Sequence, residues 1–175
     1  MSPRPSIVGF RRIRLVAAIL ACALAGATGA VTAGHEPAAN ASEQKNGGKQ
    51  HRVVTSPDAP TAIGPYSQAI AVGDTMYLSG QLPIDPVTNK LLAGASIEDQ
   101  TRQALRNLDA VLRAGGMTLD NVVSTTVYVA DLNEFARFNT AYAEFFGSKP
   151  PARATVQVAR VPQDAKVEIS AIAVR

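Results

Sequence analysis

Asn121 to Gly147 reads NVVSTTVYVADLNEFARFNTAYAEFFG, and the spacing of its apolar residues changes halfway. Asn121 to Ala130 is rich in Val and Thr, the β-branched residues that fill strands. From Asp131 the period lengthens. Asp131 and Glu134 form a capping-box-like start, and Leu132, Phe135, Phe138, Tyr142 and Phe145 recur at helical spacing until Gly147. A strand that runs straight into an amphipathic helix predicts an α+β domain.

Working outward, Ser96 offers an N-cap with Asp99 three positions on. Ile97, Ala104, Leu105, Leu108, Val111 and Leu112 then share one helical stripe that ends at Gly115-Gly116. Further upstream, Ala69–Val72 and Thr75–Ser79 flank Gly73-Asp74 as a hairpin, and Gln81–Gly94, with Pro83, Pro86 and Asn89, reads as a long turn. Downstream, Arg153–Ala159 and Lys166–Val174 read as strands joined by the turn Arg160–Asp164. The last strand is apolar on both faces at Ala171, Ile172, Ala173 and Val174. One layer of two helices covers a single face of an open sheet, so the other face is expected to meet another subunit.

The 175 residues allow one core, and with aromatics at 5% and no Trp that core is expected to be built from small aliphatic side chains. A pI near 9.2 suggests a polyanionic partner, but the positive charge is misplaced for one. Arg4, Arg11, Arg12 and Arg14 precede the first apolar run; from Val31 onward 13 Lys and Arg stand against 14 Asp and Glu. A nearly neutral domain with no basic run argues against nucleic-acid binding.

The arginine-rich start, the apolar run Leu15–Leu24 and the small residues Ala25–Ala30 have the three-part pattern of a secretory signal. Residues 1–30 are therefore read as a signal peptide, 31–50 as a flexible linker and 51–175 as the folded domain, exported to the periplasm or beyond. Ile19-Leu20-Ala21-Cys22 loosely matches a lipoprotein box, which makes lipid anchoring the lesser alternative. The apolar run is short for a membrane span, and cleavage beyond Cys22 leaves no cysteine. His35 and His51 flank the linker without metal-ligand spacing and read as solvated.

No Gly-rich phosphate loop, nucleophile elbow or CxxC motif occurs, and no His follows the linker, so metal and nucleotide-cofactor chemistry lose their usual ligands. Arg153, fixed behind Pro150-Pro151, could grip a carboxylate with its planar fork. Taken alone, it reads more readily as a surface charge. Glu168 points away from the face of Val167 and Ile169; it is an exposed strand position unless that face is an interface, where it could take a proton from water. Asn139 interrupts an aromatic stripe, to hold a loop or to face a ligand.

Ile63-Gly64-Pro65-Tyr66-Ser67-Gln68, Tyr77-Leu78-Ser79-Gly80-Gln81, Phe138-Asn139, Pro151-Ala152-Arg153-Ala154-Thr155-Val156 and Lys166-Val167-Glu168-Ile169 stand in the order and spacing of the Rid family of reactive intermediate deaminases. The chain resembles the RidA-like, arginine-containing branch from about Val53 to Arg175. The resemblance implies a chorismate-mutase-like fold with two helices on one face of a mixed sheet, a homotrimer with a pocket at each subunit interface, and cofactor-free, metal-free hydrolysis of 2-iminobutanoate or 2-iminopropanoate. It assigns Arg153 to the substrate carboxylate, Glu168 to the attacking water, and Tyr66, Ser79, Gly80 and Asn139 to the pocket. Thr155 stands where many relatives have cysteine; a contribution through its backbone carbonyl survives that change, whereas a thiol-dependent role does not. The alternative on the same residues is a non-catalytic small-molecule-binding or holdase-like trimer. Ribonuclease activity, reported for some relatives, fits the near-neutral domain poorly.

Overall fold

The structure is a computed structural model and describes residues 50–175. The signal peptide read in residues 1–30 and nearly all of the linker, Cys22 and His35 included, lie outside the described residues. In chain order the elements are β1 (His51–Val54), β2 (Ala69–Val72), β3 (Thr75–Gln81), β4 (Ile84–Asp85), β5 (Lys90–Leu91), α1 (Ile97–Ala114), β6 (Val122–Val129), α2 (Phe135–Phe146), β7 (Ala152–Gln157) and β8 (Val167–Val174). Six strands form one sheet in the order β1-β2-β3-β8-β6-β7. Only β6 and β7 pair in parallel, because α2 carries the chain back along the sheet between them.

Both helices pack on one face, where Leu105, Leu108 and Leu112 of α1 and Phe138 of α2 meet Met76, Leu78, Val127, Val129, Val167 and Ile169 in a single core. Ser96 caps α1 as expected, its Oγ accepting from the Asp99 N–H at 3.1 Å. Arg102 to Glu144 and Arg137 to Glu98 bridge α1 and α2 at 2.7 and 2.8 Å. Solvated pairs contribute under about 1 kcal/mol each, so this seam depends on its apolar packing.

Three buried amides tie loops to this framework. Gln68 accepts from the Ser56 N–H and donates to the Pro60 carbonyl at 2.8 Å. Asn107 donates to the carbonyls of Leu82 and Ile84. Gln100 donates to the Leu92 carbonyl and accepts from the Lys166 N–H. In each case the amide satisfies backbone groups that an irregular segment would otherwise bury unpaired.

Several expectations are corrected. The stretch 81–94 contains the two-residue strands β4 and β5, and Asp131 caps a 3-10 turn, Leu132–Glu134, with α2 starting only at Phe135. The two-sided last strand is half covered within the chain. Val167, Ile169, Ala171 and Ala173 of β8 are buried under the helices, whereas Ile172 and Val174 on its other face are 37% and 36% exposed, beside Tyr77 at 52%.

Candidate active site

The sequence-predicted residues gather in two places. The first is a cleft of about 300 Å³ lined by Ile63, Tyr66, Ser79, Gly80, Leu82, Pro162 and Glu168. Its floor comes from a β-bulge. Between the pairs Leu78–Ala171 and Gln81–Ile169, β3 carries one residue more than β8, and Ser79-Gly80 is lifted out of the ladder. Ser79 is held there by its N–H on the Gln68 carbonyl and its Oγ donating to the Ser67 carbonyl at 2.7 Å.

Glycine at position 80 makes room for the Glu168 side chain. The Glu168 side chain lies across it so closely that a methyl group there would meet the Glu168 carboxyl, 2.6 Å from its Cδ. Glu168 forms no ion pair among the described residues, and burial pushes its carboxyl above the usual glutamate range. Tyr66 stands at the rim, half exposed, its hydroxyl accepting from the Ile63 N–H at 3.3 Å.

The second place is a cleft of about 420 Å³ lined by Asn139, Tyr142, Phe146, Pro150, Pro151 and Arg153, among others. The Arg153 guanidinium donates from Nη2 to Asn139 Oδ1 at 2.7 Å and lies 4.4 Å from the Tyr142 ring centroid, 5.2 Å from that of Phe138 and 5.7 Å from that of Phe135. An aromatic bed of this kind orients the planar fork without neutralising it. Arg153 too forms no ion pair among the described residues. Beneath it the Tyr142 hydroxyl shares a 2.7 Å hydrogen bond with Thr125 Oγ1, and burial pushes the Tyr142 phenol up against the smaller opposing pulls of Thr125 and Arg153. Thr155, two residues along β7, has its Oγ1 buried without a hydrogen-bond partner. The Tyr142, Phe138 and Phe135 bed escaped the sequence reading because its helical spacing looked like an ordinary core stripe; the unexplained Asn139 within that stripe was the available signal.

One chain does not bring the two sets together. Thr125 pairs with both Arg153 and Ala171, so Arg153 shares the helix-covered face with Ala171, Ile169 and Val167. Glu168 pairs with Tyr128 and belongs to the open face. An unpaired cation and a desolvated carboxylate therefore stand on opposite sides of the same sheet. A larger depression of about 470 Å³, bounded by His51, Arg52, Gly115 and Arg175 near the far end of β8, contains none of the predicted residues.

The family model described as Endoribonuclease L-PSP matches residues 56–175. A RutC family protein of Pyrococcus horikoshii is 50% identical over 121 residues, which cover 69% of this chain and 95% of that protein. The 2-iminobutanoate/2-iminopropanoate deaminase of Capra hircus is 47% identical over 124 residues, 71% of this chain and 90% of that protein. A solved structure of a Rid-family protein of unknown function from Yersinia pestis is similar at a TM-score of 0.69 and 45% identity, covering 72% of this chain and all of that one.

Proposed function

Since the chain belongs to the Endoribonuclease L-PSP family, the Rid family of the resemblance drawn above, we propose that it hydrolyses 2-imino acids such as 2-iminobutanoate and 2-iminopropanoate to 2-keto acids and ammonia. The observation that carries this reading is the Arg153 fork, uncompensated by any acid and stacked on Tyr142, which suits one planar carboxylate. In this reading the substrate lies between subunits of a homotrimer. The open face, with Tyr77, Ile172 and Val174, is covered by a neighbouring copy, and that contact sets the β7 edge of one copy against the Glu168 cleft of the next. Given the signal peptide read in residues 1–30, the reaction is assigned outside the cytoplasm.

Arg153 binds the substrate carboxylate while Asn139 Oδ1 fixes the guanidinium from the side. Glu168 accepts a proton from the water as its oxygen bonds to the electrophilic C2, giving a carbinolamine. The same proton passes to the amine nitrogen, and as the C–N bond breaks the regenerated Glu168 carboxylate takes the hydroxyl proton, leaving the 2-keto acid and ammonia, which carries that proton away as ammonium. Thr155 contributes its backbone carbonyl to the site. Orientation supplies most of the acceleration, since the iminium carbon is already reactive.

The test is release of pyruvate from 2-iminopropanoate, generated in place by an amino-acid oxidase, followed across pH. Turnover above the spontaneous rate is expected; none at any pH would remove the enzyme reading. Because Glu168 must be ionised to accept the proton, kcat/KM is expected to fall about tenfold per pH unit on an acid limb lying above the ordinary glutamate range. Glu168→Gln loses that limb together with turnover. The stability sign runs the other way. A carboxyl whose pKa is raised on folding favours the folded state below its unfolded pKa and loses that contribution as pH rises through the folded value. Glu168→Gln is therefore expected to melt higher than the parent at neutral pH, with the gap closing in acid.

Gly80→Ala should fold, because its strain is local to the bulge, yet it must push Glu168 aside. A displacement on the order of 1 Å at a reacting group costs about a hundredfold. Steady-state kinetics at unchanged circular dichroism would show it, and parent-like rates would mean that Glu168 does not act from the observed position.

A further inference from the structure

The segment between β7 and β8 is built unlike any other loop among the described residues. Gln163 and Asp164, neither a glycine, both hold left-handed backbone, at φ 57° and 59°. Such a pair persists only where its surroundings over-determine it. Here the flanking residues Val161 and Ala165, each 1% exposed, are sunk into a small separate core with Leu82 and Ile84. Across the arch between these anchors, Arg160 Nε and Nη2 clasp both Asp164 carboxylate oxygens, at 2.6 and 2.8 Å. The result of this construction is the placement of Pro162, at the crown of the arch, in the wall of the cleft that holds Tyr66, Gly80 and Glu168.

We propose that this arch is a specificity wall, with Arg160 and Asp164 as positioning residues that hold Pro162 against the Glu168 cleft and so limit the size of the substrate side chain. The proposal rests on the deaminase reading and adds to it the element that sets the size limit on the substrate side chain. Beside Pro162 the lining carries one charged group, the reacting Glu168, and one hydroxyl, Ser79, which already donates to the Ser67 carbonyl; Ile63, Tyr66 and Leu82 add no charge for a longer polar group. Without the clasp, the left-handed turn loses its only charged tether, and the arch relaxes away from the cleft.

The experiment compares the purified full-length protein with Arg160→Gln on imino acids generated from alanine, 2-aminobutyrate and leucine. In the variant, kcat/KM for the leucine-derived imine is expected to rise relative to the alanine-derived one by about threefold to fivefold, the range a solvated ion pair can supply. The change should appear in KM and not in kcat. Adding Gln163→Gly, which relieves the left-handed strain, should return the parent ratio. Amide exchange at Asp164 and Ala165, whose N–H groups bond back to the Val161 and Pro162 carbonyls, reports the arch directly. Faster exchange in Arg160→Gln with an unchanged substrate ratio overturns the wall, and unchanged exchange overturns the clasp. If the parent protein turns over none of the three substrates, the deaminase reading fails by itself. The wall is then read by calorimetry with the corresponding 2-keto acids, where parent affinity that does not fall with side-chain size, or no binding at all, overturns it.

Discussion

Arg153→Ala is expected to lower kcat/KM for 2-iminopropanoate by about 10²- to 10³-fold, the cost of leaving a buried carboxylate without its charged partner. The loss has three separable parts. The two parallel hydrogen bonds to the substrate go, the charge goes, and the aromatic bed of Tyr142, Phe138 and Phe135 is left facing a cleft with nothing to orient. Arg153→Lys therefore recovers only part of the rate, since an ammonium keeps the charge but cannot span both carboxylate oxygens from a planar fork. The fold should tolerate either change, because Arg153 lies at the edge strand β7 and bridges no acid among the described residues. The measurement is initial keto-acid release above the spontaneous rate, with thermal melts of each variant as the control. An alanine variant with parent kinetics would detach Arg153 from substrate binding altogether.

Mixing two inactive proteins is expected to restore activity. Arg153→Ala and Glu168→Gln, each nearly silent alone, are expected to regain about a quarter of the parent rate when unfolded together in equal amounts and refolded as random trimers. The fraction follows from drawing one intact Arg153 and one intact Glu168 at each interface. It depends on the two side chains occupying opposite faces of the sheet, as the shared pairing of Thr125 with Arg153 and Ala171 requires. If both groups served the same substrate within one chain, every mixed assembly would stay as inactive as its parts. Mixtures that never exceed the sum of the two variants, at full trimer yield, would therefore refute the shared site.

The parts of the fold legible in the sequence are those where a period had room to repeat. α1, with its Ser96 cap and its stop at Gly115, emerged from eighteen residues of helical spacing. The β2–β3 hairpin declared itself through two short apolar runs flanking the Gly73-Asp74 turn, and β8 through a long β-branched and apolar run. β1 did not, because half of it is His51 and Arg52 on an exposed edge, and β4 and β5 are only two residues each, too short for any period. Glu168 was placed on the correct face from its neighbours Val167 and Ile169. Arg153 could not be placed, because its face is set by the register of β7 against β6, which no local pattern encodes. Its aromatic bed lies on a helix eleven to eighteen positions upstream, beyond the reach of spacing arguments.

Gln68, Gln100 and Asn107 have a consequence for how the pH profile should be read. The loops they fasten carry much of the wall of the Glu168 cleft, and they are fastened by neutral amides to backbone groups. An amide has no proton to gain or lose in the working range, so acidification leaves these fastenings unchanged. The walls fastened by these amides are spectators to titration; the one carboxylate fastening described above, the Arg160–Asp164 clasp behind Pro162, is held below the usual aspartate range by its arginine, so an acid limb above the glutamate range reports Glu168.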